Sequence, residues 1–281
     1  MTPIPSEACE GFMKCFGCPR FISSKKQERV LSELVSCNGP RRYGLLERTF
    51  VMREPNPKLE CAGLMHYWEV EADLSLPVDL WREWSNSRRL MSGHLRANRF
   101  GCCRGRGIGF PEFPEPPLLT VSRQEDVPVP MTRLGPHLLV TRAARDVLTG
   151  VDPGAFQFVE TLTHYPGRDP QGGIYWIGDV TRCCRACIDM SQSVATLIEQ
   201  VDFPASPWPD GKWRTLTMPE SVSFIPEKVH GYHAFRSDWM PSRIFVSDTM
   251  KAALEQAGCW GVVYRDQYTL NGPYHACRHR S

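Results

Sequence analysis

Long apolar runs are missing from this chain, and none approaches the roughly 20 residues that a helix needs to cross a bilayer. The N-terminus carries no continuous apolar segment of the kind that marks a secretory signal. Both absences point to a cytoplasmic protein. An excess of charge of one sign is also missing. The 33 Lys and Arg residues nearly balance 31 Asp and Glu, leaving +2, so no global field selects nucleic acid, a membrane surface or an acidic substrate. Compact catalytic signatures are absent too, with no G-x-S-x-G elbow and no H-E-x-x-H pair. The Gly105-Arg106-Gly107 run has no Lys-Ser/Thr after it and leads into a Pro-rich loop, so it is not a phosphate loop. The histidines stand away from acids at metal-binding spacing. His230-x-x-His233 is the exception, and it lacks an obvious third ligand.

Cysteine is plentiful, with twelve in 281 residues. A secreted disulfide scaffold is usually short, and this chain is neither short nor marked for export, so free thiols are expected. Apolar content of 42% and charged content of 23% are those of an ordinary globular protein able to bury a sizeable core.

One pattern is written twice, 106 positions apart and without a gap. The first copy runs from Leu138-Leu139-Val140-Thr141 through Val147-Leu148 to Phe156-Gln157-Phe158. The second runs from Ile244-Phe245-Val246-Ser247 through Ala253-Leu254 to Val262-Val263-Tyr264. Each reads as an apolar strand, a hydroxyl residue at a helix N-cap, a short amphipathic helix, a turn and a second strand. Neither Thr141 nor Ser247 has Glu or Gln three residues on, so the full capping box is missing. Ala143, Ala144, Val147 and Leu148 share one helical face, as do Met250, Ala253, Leu254 and Ala257. Asp152-Pro153-Gly154 and Gly258 end the two helices.

Around these copies the spacing predicts strands at Thr49-Phe50-Val51-Met52, Leu64 to Val70 and Gly173 to Ile177, with a short helix after Pro77. The fold class expected is α+β, with mixed and antiparallel sheets and short helices built around the two strand-helix-strand units. Residues 1–47 read as an extension, weakly structured or forming one helix over Lys25 to Val35. Residues 48–270 form the α+β domain, divisible into halves 48–135 and 136–270, and residues 271–281 read as a frayed tail.

Two constellations carry chemistry. Cys15-x-x-Cys18 and Cys184-x-x-Cys187 together offer four thiolates to zinc, but 166 residues separate them, far more than the roughly 15–20 of a ribbon site. The expectation is therefore no cofactor, with this set as the alternative. A reactive thiol such as Cys184 keeps an enzyme reading open. Between Glu83 and Glu112 there is no acidic residue, while Arg88, Arg89, Arg96, Arg99, Arg104 and Arg106 fall there, flanked by Trp81, Trp84 and Phe100. Arg forks suit phosphate or carboxylate, and Trp and Arg are typical interface anchors. Large aromatics in irregular segments add Trp208, Trp213 and Trp239 to a partner-binding set headed by Trp81, Trp84, Arg88, Arg89 and Arg96.

The string Phe235-Arg236, Ile244-Phe245-Val246-Ser247-Asp248, Leu254, Gly258 and Gly261-Val262-Val263-Tyr264 resembles the closing motif of immunity protein eleven, a family of bacterial polymorphic toxin systems. The upstream copy and a strand like Ile174-Tyr175-Trp176-Ile177 fit the same resemblance over about residues 48–268. Cys18 is followed by Pro19 and Cys187 by Ile188, which departs from the paired C-x-x-C-G motifs of a related immunity family. The resemblance implies a cytoplasmic, non-catalytic protein that binds a cognate toxin domain encoded beside it and occludes the toxin's active site stoichiometrically. The competing reading is a thiolate-zinc protein with a basic loop for nucleic acid or another partner.

Overall fold

The computed structural model describes residues 45–48, 66–76, 82–91, 109–122, 128–200, 213–270 and 275–276. The chain divides into two compact units, Met1–Tyr43 and Gly44–Ser281, and all described residues belong to the second. The strands are β1 (Leu45–Arg48), β2 (Tyr67–Ala72), β3 (Arg82–Trp84), β4 (Leu118–Val121), β5 (Met131–Leu134), β6 (His137–Val140), β7 (Phe156–Glu160) and β8 (Leu162–His164). They continue with β9 (Trp176–Val180), β10 (Cys183–Cys184), β11 (Val194–Gln200), β12 (Trp213–Ser221), β13 (Ala234–Ser237), β14 (Met240–Ser247), β15 (Val262–Asp266) and β16 (His275–Ala276). The helices are α1 (Ser87–Leu90), α2 (Arg142–Val151), α3 (Pro226–Val229) and α4 (Asp248–Gln256). The expected α+β class, rich in strand with short helices, is what is found.

The two sequence copies become two modules of one topology. In the first, strands lie in the order β5-β6-β9-β7, and α2 carries the chain from β6 over β9 to β7. In the second, the order β13-β14-β2-β15 sits inside a six-stranded sheet, and α4 carries the chain from β14 over β2 to β15. The central strand is antiparallel to both neighbours in each case. It follows the first module in sequence as β9, but precedes the second as β2, so the second module is closed by a strand from the other end of the domain.

The equivalence reaches individual side chains. Lys251 Nζ lies 3.7 Å from the centre of the Trp68 ring, and the Arg145 guanidinium 4.7 Å from that of Trp176. Trp68 and Trp176 occupy matching places on the central strands, and Arg145 and Lys251 matching places on the helices.

Both helices pack into one shared core. Leu138, Val140, Ala144, Leu148 and Trp176 from the first module meet Val70, Ile244, Val246, Met250, Leu254 and Tyr264 from the second. Ala144 and Leu148 are buried as the periodicity predicts, whereas Ala143 and Ala257 are exposed. The back of each module is covered separately. Leu139 and Ile177 pack with Leu119, Val121, Trp84 and Tyr175, from β4 and its surroundings. Phe235 and Phe245 pack with Phe224, Val222, Leu216, Cys184 and Cys187. The three-stranded sheets β3-β4-β8 and β1-β11-β12 carry these coverings.

The caps differ from expectation in one helix. Ser247 Oγ accepts from Met250 N at 3.3 Å, a true side-chain cap. Thr141 has the extended backbone of an N-cap but no capping bond, because its hydroxyl donates to Pro130 O at 3.4 Å. At the other ends Asp152 caps α2, and Gly258, with φ +68°, follows α4 in the left-handed region open to glycine. Within the expected tail, residues 275–276 form β16, which pairs with β15. The first strand falls at β1, across the expected boundary at residue 47, and pairs with β11. The predicted strand at Thr49–Met52 and the helix after Pro77 lie outside the described residues.

Two arginines lock the modules together. Arg133 and Arg236 each stand one position before the end of the strand that enters a two-residue hairpin turn, in β5 and β13. Arg133 reaches out of the first module, donating from Nη1 to Val70 O at 2.8 Å and from Nη2 to Ser242 O at 2.8 Å. Arg236 reaches out of the second, donating from Nε to Val180 O at 3.1 Å and from Nη2 to Pro136 O and, at 2.8 Å, to Asp179 Oδ1. Burial would raise the Asp179 carboxyl, but His137 and Arg236 outweigh it and hold it below the usual carboxylate range. At the same junction Gly261 has φ +98°, and a Cβ there would stand 2.3 Å from Met131 O.

Truncating Arg236 to Met strands the buried Asp179 carboxylate. It should cost about 3–5 kcal/mol in urea denaturation, against ~0–1 kcal/mol for Ala at the exposed Arg89. Equal losses for the two variants would disprove the clamp.

Candidate partner interface

The residues singled out by sequence separate by burial. Trp84 is 6% exposed, set among Phe110, Phe113 and His137, with its indole N–H donated to Asn86 Oδ1 at 2.9 Å. It anchors the core behind the first module and is not available as a surface contact. Trp239 is half-buried against the core behind the second module, and its carbonyl accepts from Leu216 N at 3.0 Å. Arg88 and Arg89 are exposed on the single turn of α1, above the buried Leu90. Arg89 pairs with Glu115 across the surface. Of these four residues, Arg88 and Arg89 are exposed, Trp239 is half-buried and Trp84 is buried. Trp81, Arg96 and Trp208 lie outside the described residues, and of Trp213 only its place at the start of β12 is described.

Cys184 and Cys187 close a tight turn in which Ala186 adopts φ +45°. Ala186 N donates to Asp238 Oδ2 at 2.8 Å, and Lys228 Nζ donates to Ala186 O at 2.7 Å. The two thiols donate to carbonyls, Cys184 to Lys228 O and Cys187 to Cys184 O. A hydrogen bond from Cys187 draws the Cys184 thiol below its ordinary range. The same bond, with burial, pushes Cys187 up. Burial lifts the nearby Asp238 carboxyl to about 6. Among the described residues no group of three or more His, Cys, Asp or Glu is placed to hold a metal ion, while Cys15 and Cys18 lie outside them. With Cys184 only 6% exposed, the turn serves the packing behind the second module.

A further surface cluster escaped the sequence reading. His66 stands between two carboxylates, with Nδ1 3.3 Å from Asp248 Oδ1 and Nε2 3.1 Å from Asp266 Oδ1. Trp68 donates from Nε1 to the same Asp248 oxygen at 2.6 Å, and Tyr268, 47% exposed, stacks on the His66 ring. The cluster ties the entry to β2, the first residue of α4 and the end of β15. Its members are far apart in sequence. The one signal for it was alternation in His66-Tyr67-Trp68, where the buried Tyr67 leaves its neighbours on the opposite face. Burial would lower the His66 pKa, but the Asp266 and Asp248 carboxylates more than offset it, and the net shift is upward.

These are the features of a scaffold that positions surface side chains, and comparison with protein families places the chain among the immunity proteins. The match is to the immunity protein family Imm11 over residues 49–269, and the chain belongs to that family. No curated protein sequence matches it.

The raised His66 pKa fixes the sign of a pH effect. Its contribution to stability is fully present below the unfolded value of 6.5 and is lost as pH rises through the higher folded value. Thermal melts of His66→Gln should show a larger deficit against the parent protein at pH 5.5 than at pH 8.5. A deficit that grows with pH would reverse the assignment.

Proposed function

We propose that this immunity protein binds a cognate toxin domain, encoded next to it, and neutralises it by stoichiometric occlusion of the toxin's active site. It acts in the cytoplasm and without catalysis of its own. Membership of the Imm11 family over residues 49–269 is the observation that carries this reading. The scaffold is consistent with it, because the buried charged groups at the module junction are engaged with backbone carbonyls and with one another. A near-neutral surface balance favours local anchors over long-range steering. Among the described residues no helix is long and apolar enough to cross a membrane.

Arg88 and Arg89 are the anchors this reading places first, since exposed guanidinium groups can meet a carboxylate in a bidentate fork, with Arg89 exchanging its surface pairing to Glu115. Co-expression with the product of the adjacent upstream gene should relieve its toxicity and yield a one-to-one complex on co-purification. A non-toxic product, or absence of a complex, would overturn the reading. Changing Arg88 and Arg89 together to Ala should weaken that complex by at least about tenfold, ~1.4 kcal/mol, and leave the melting temperature unchanged. A lowered melting temperature with intact binding would mark both as structural.

A further inference from the structure

The equivalence of the two modules shows a place where they differ. In the second module the outer edge of β15 is covered. Gly261 O accepts from Asp73 N and Gln267 N donates to Tyr67 O, both at 3.2 Å, so the odd-numbered residues of β15 bond inward to β2. Val262, Tyr264 and Asp266 therefore turn their backbone groups outward, and Tyr264 pairs with His275 of β16.

The same accounting applies to β7. Thr161 N donates to Tyr175 O at 3.0 Å and Thr181 N to Ala155 O at 2.8 Å, so the odd-numbered residues bond inward to β9. Phe156, Phe158 and Glu160 turn their backbone N–H and C=O outward. Phe158 is the counterpart of Tyr264, yet β7 is the end of its sheet and no described strand pairs with that edge. On the other outer edges, Met131 N of β5 is bonded to Trp260 O, and β13 is paired with β10.

The side chains along the open edge suit an occupant. Phe156 and Phe158 stack with ring centres 5.6 Å apart and are only half-buried, while Glu160 is exposed at the end of the strand. An unpaired edge is a ready template for another strand, and proteins that bind by strand addition gain affinity from the main chain and selectivity from alternate side chains.

We infer that the outer edge of β7 accepts an extended strand of the toxin domain, paired through Phe156, Phe158 and Glu160 as β16 pairs with β15. This rests on the function proposed above. The incoming strand places an apolar residue against the Phe156–Phe158 pair and a Lys or Arg against Glu160.

Amide hydrogen exchange on the full chain tests it, alone and with a catalytically inactive form of the toxin. In the complex the Phe156, Phe158 and Glu160 amides should exchange at least about tenfold more slowly, while Gln157 and Val159, already bonded to β9, change little. The variant Glu160→Pro removes one outward donor without touching the β9 ladder. It should keep the parent's melting temperature and lose at least about tenfold in toxin affinity. A complex that forms with these three amides unprotected overturns strand addition and leaves the immunity reading standing. Failure to form any complex overturns both. Protection that develops with protein concentration in the absence of toxin would assign the edge to a second copy of this chain and also overturn the proposal.

Discussion

The reciprocal reach of Arg133 and Arg236 is the constraint on which the rest of the domain depends. Each module sends one guanidinium across to backbone carbonyls of the other, Arg133 to Val70 O and Ser242 O, and Arg236 to Val180 O and to Pro136 O in the β5–β6 turn. A guanidinium suits this task because it holds several donors in a fixed fork and stays charged when buried. Burial lowers the Arg133 pKa, with Glu71 and Glu69 opposing that effect, so the acidic residues of β2 and the arginines of the junction form one electrostatic unit. Sliding one module against the other would strand several charged groups at once. Asp152 adds a second tie: its backbone N–H closes the last turn of α2 on Leu148 O, and its carboxylate accepts from Arg182 and from the backbone N–H groups of His233 and Ala234 at the entry to β13.

The duplicated plan has been kept where packing demands it and altered where the modules face different surroundings. Trp68 and Trp176, with Lys251 and Arg145 above them, fill equivalent places beside the shared core. At the next position along the central strand the first module has Ile177 and the second has Glu69, both fully buried. An isoleucine there needs only apolar neighbours. Glu69 needs Arg243, which donates to Oε2 at 2.7 Å, and burial with the nearby Glu71 still lifts its carboxyl to about 7. A buried carboxyl at a position its counterpart fills with hydrocarbon adds cost to the fold. It also makes the second module dependent on charged partners in β14 and β15.

How much of this was legible in the sequence follows from the range of each interaction. The strand-helix-strand copies and the ends of their helices were readable, because local periodicity and turn residues set them within about ten positions of one another, while the family extent came from the resemblance of the closing motif. Ser247 as a cap was readable for the same reason. Thr141 was read as a cap and is not one, because a carbonyl eleven residues earlier claims its hydroxyl. The module topology could not be read, since β2 closes the second module from more than 160 residues away. Trp84 shows why irregular segments mislead: a short strand and an Asn86 side chain fold its ring inward, leaving Arg88 and Arg89 as the exposed part of that stretch. The His66 cluster draws on β2, α4 and the end of β15, and no spacing rule connects them.

The junction and the outer strand edges carry different shares of the fold. The shared core, the arginine clamps and the Asp152 tie are internal and leave little freedom for change. The outer strand edges do not hold the modules together, whereas the coverings behind the modules bury Leu119, Val121, Tyr175 and Val222 fully and carry part of the fold's stability. The second module has both of its outer edges closed by other parts of the same chain. In the first, no described strand pairs with the outer edge of β7, which lies beside a half-buried aromatic pair. The covered copy shows that closure of this edge is structurally available to the topology. On the function proposed above, partner contacts fall on the first module's side of the domain, where Leu90 of α1, beneath the exposed Arg88 and Arg89, and Val159 of β7 border one apolar cluster.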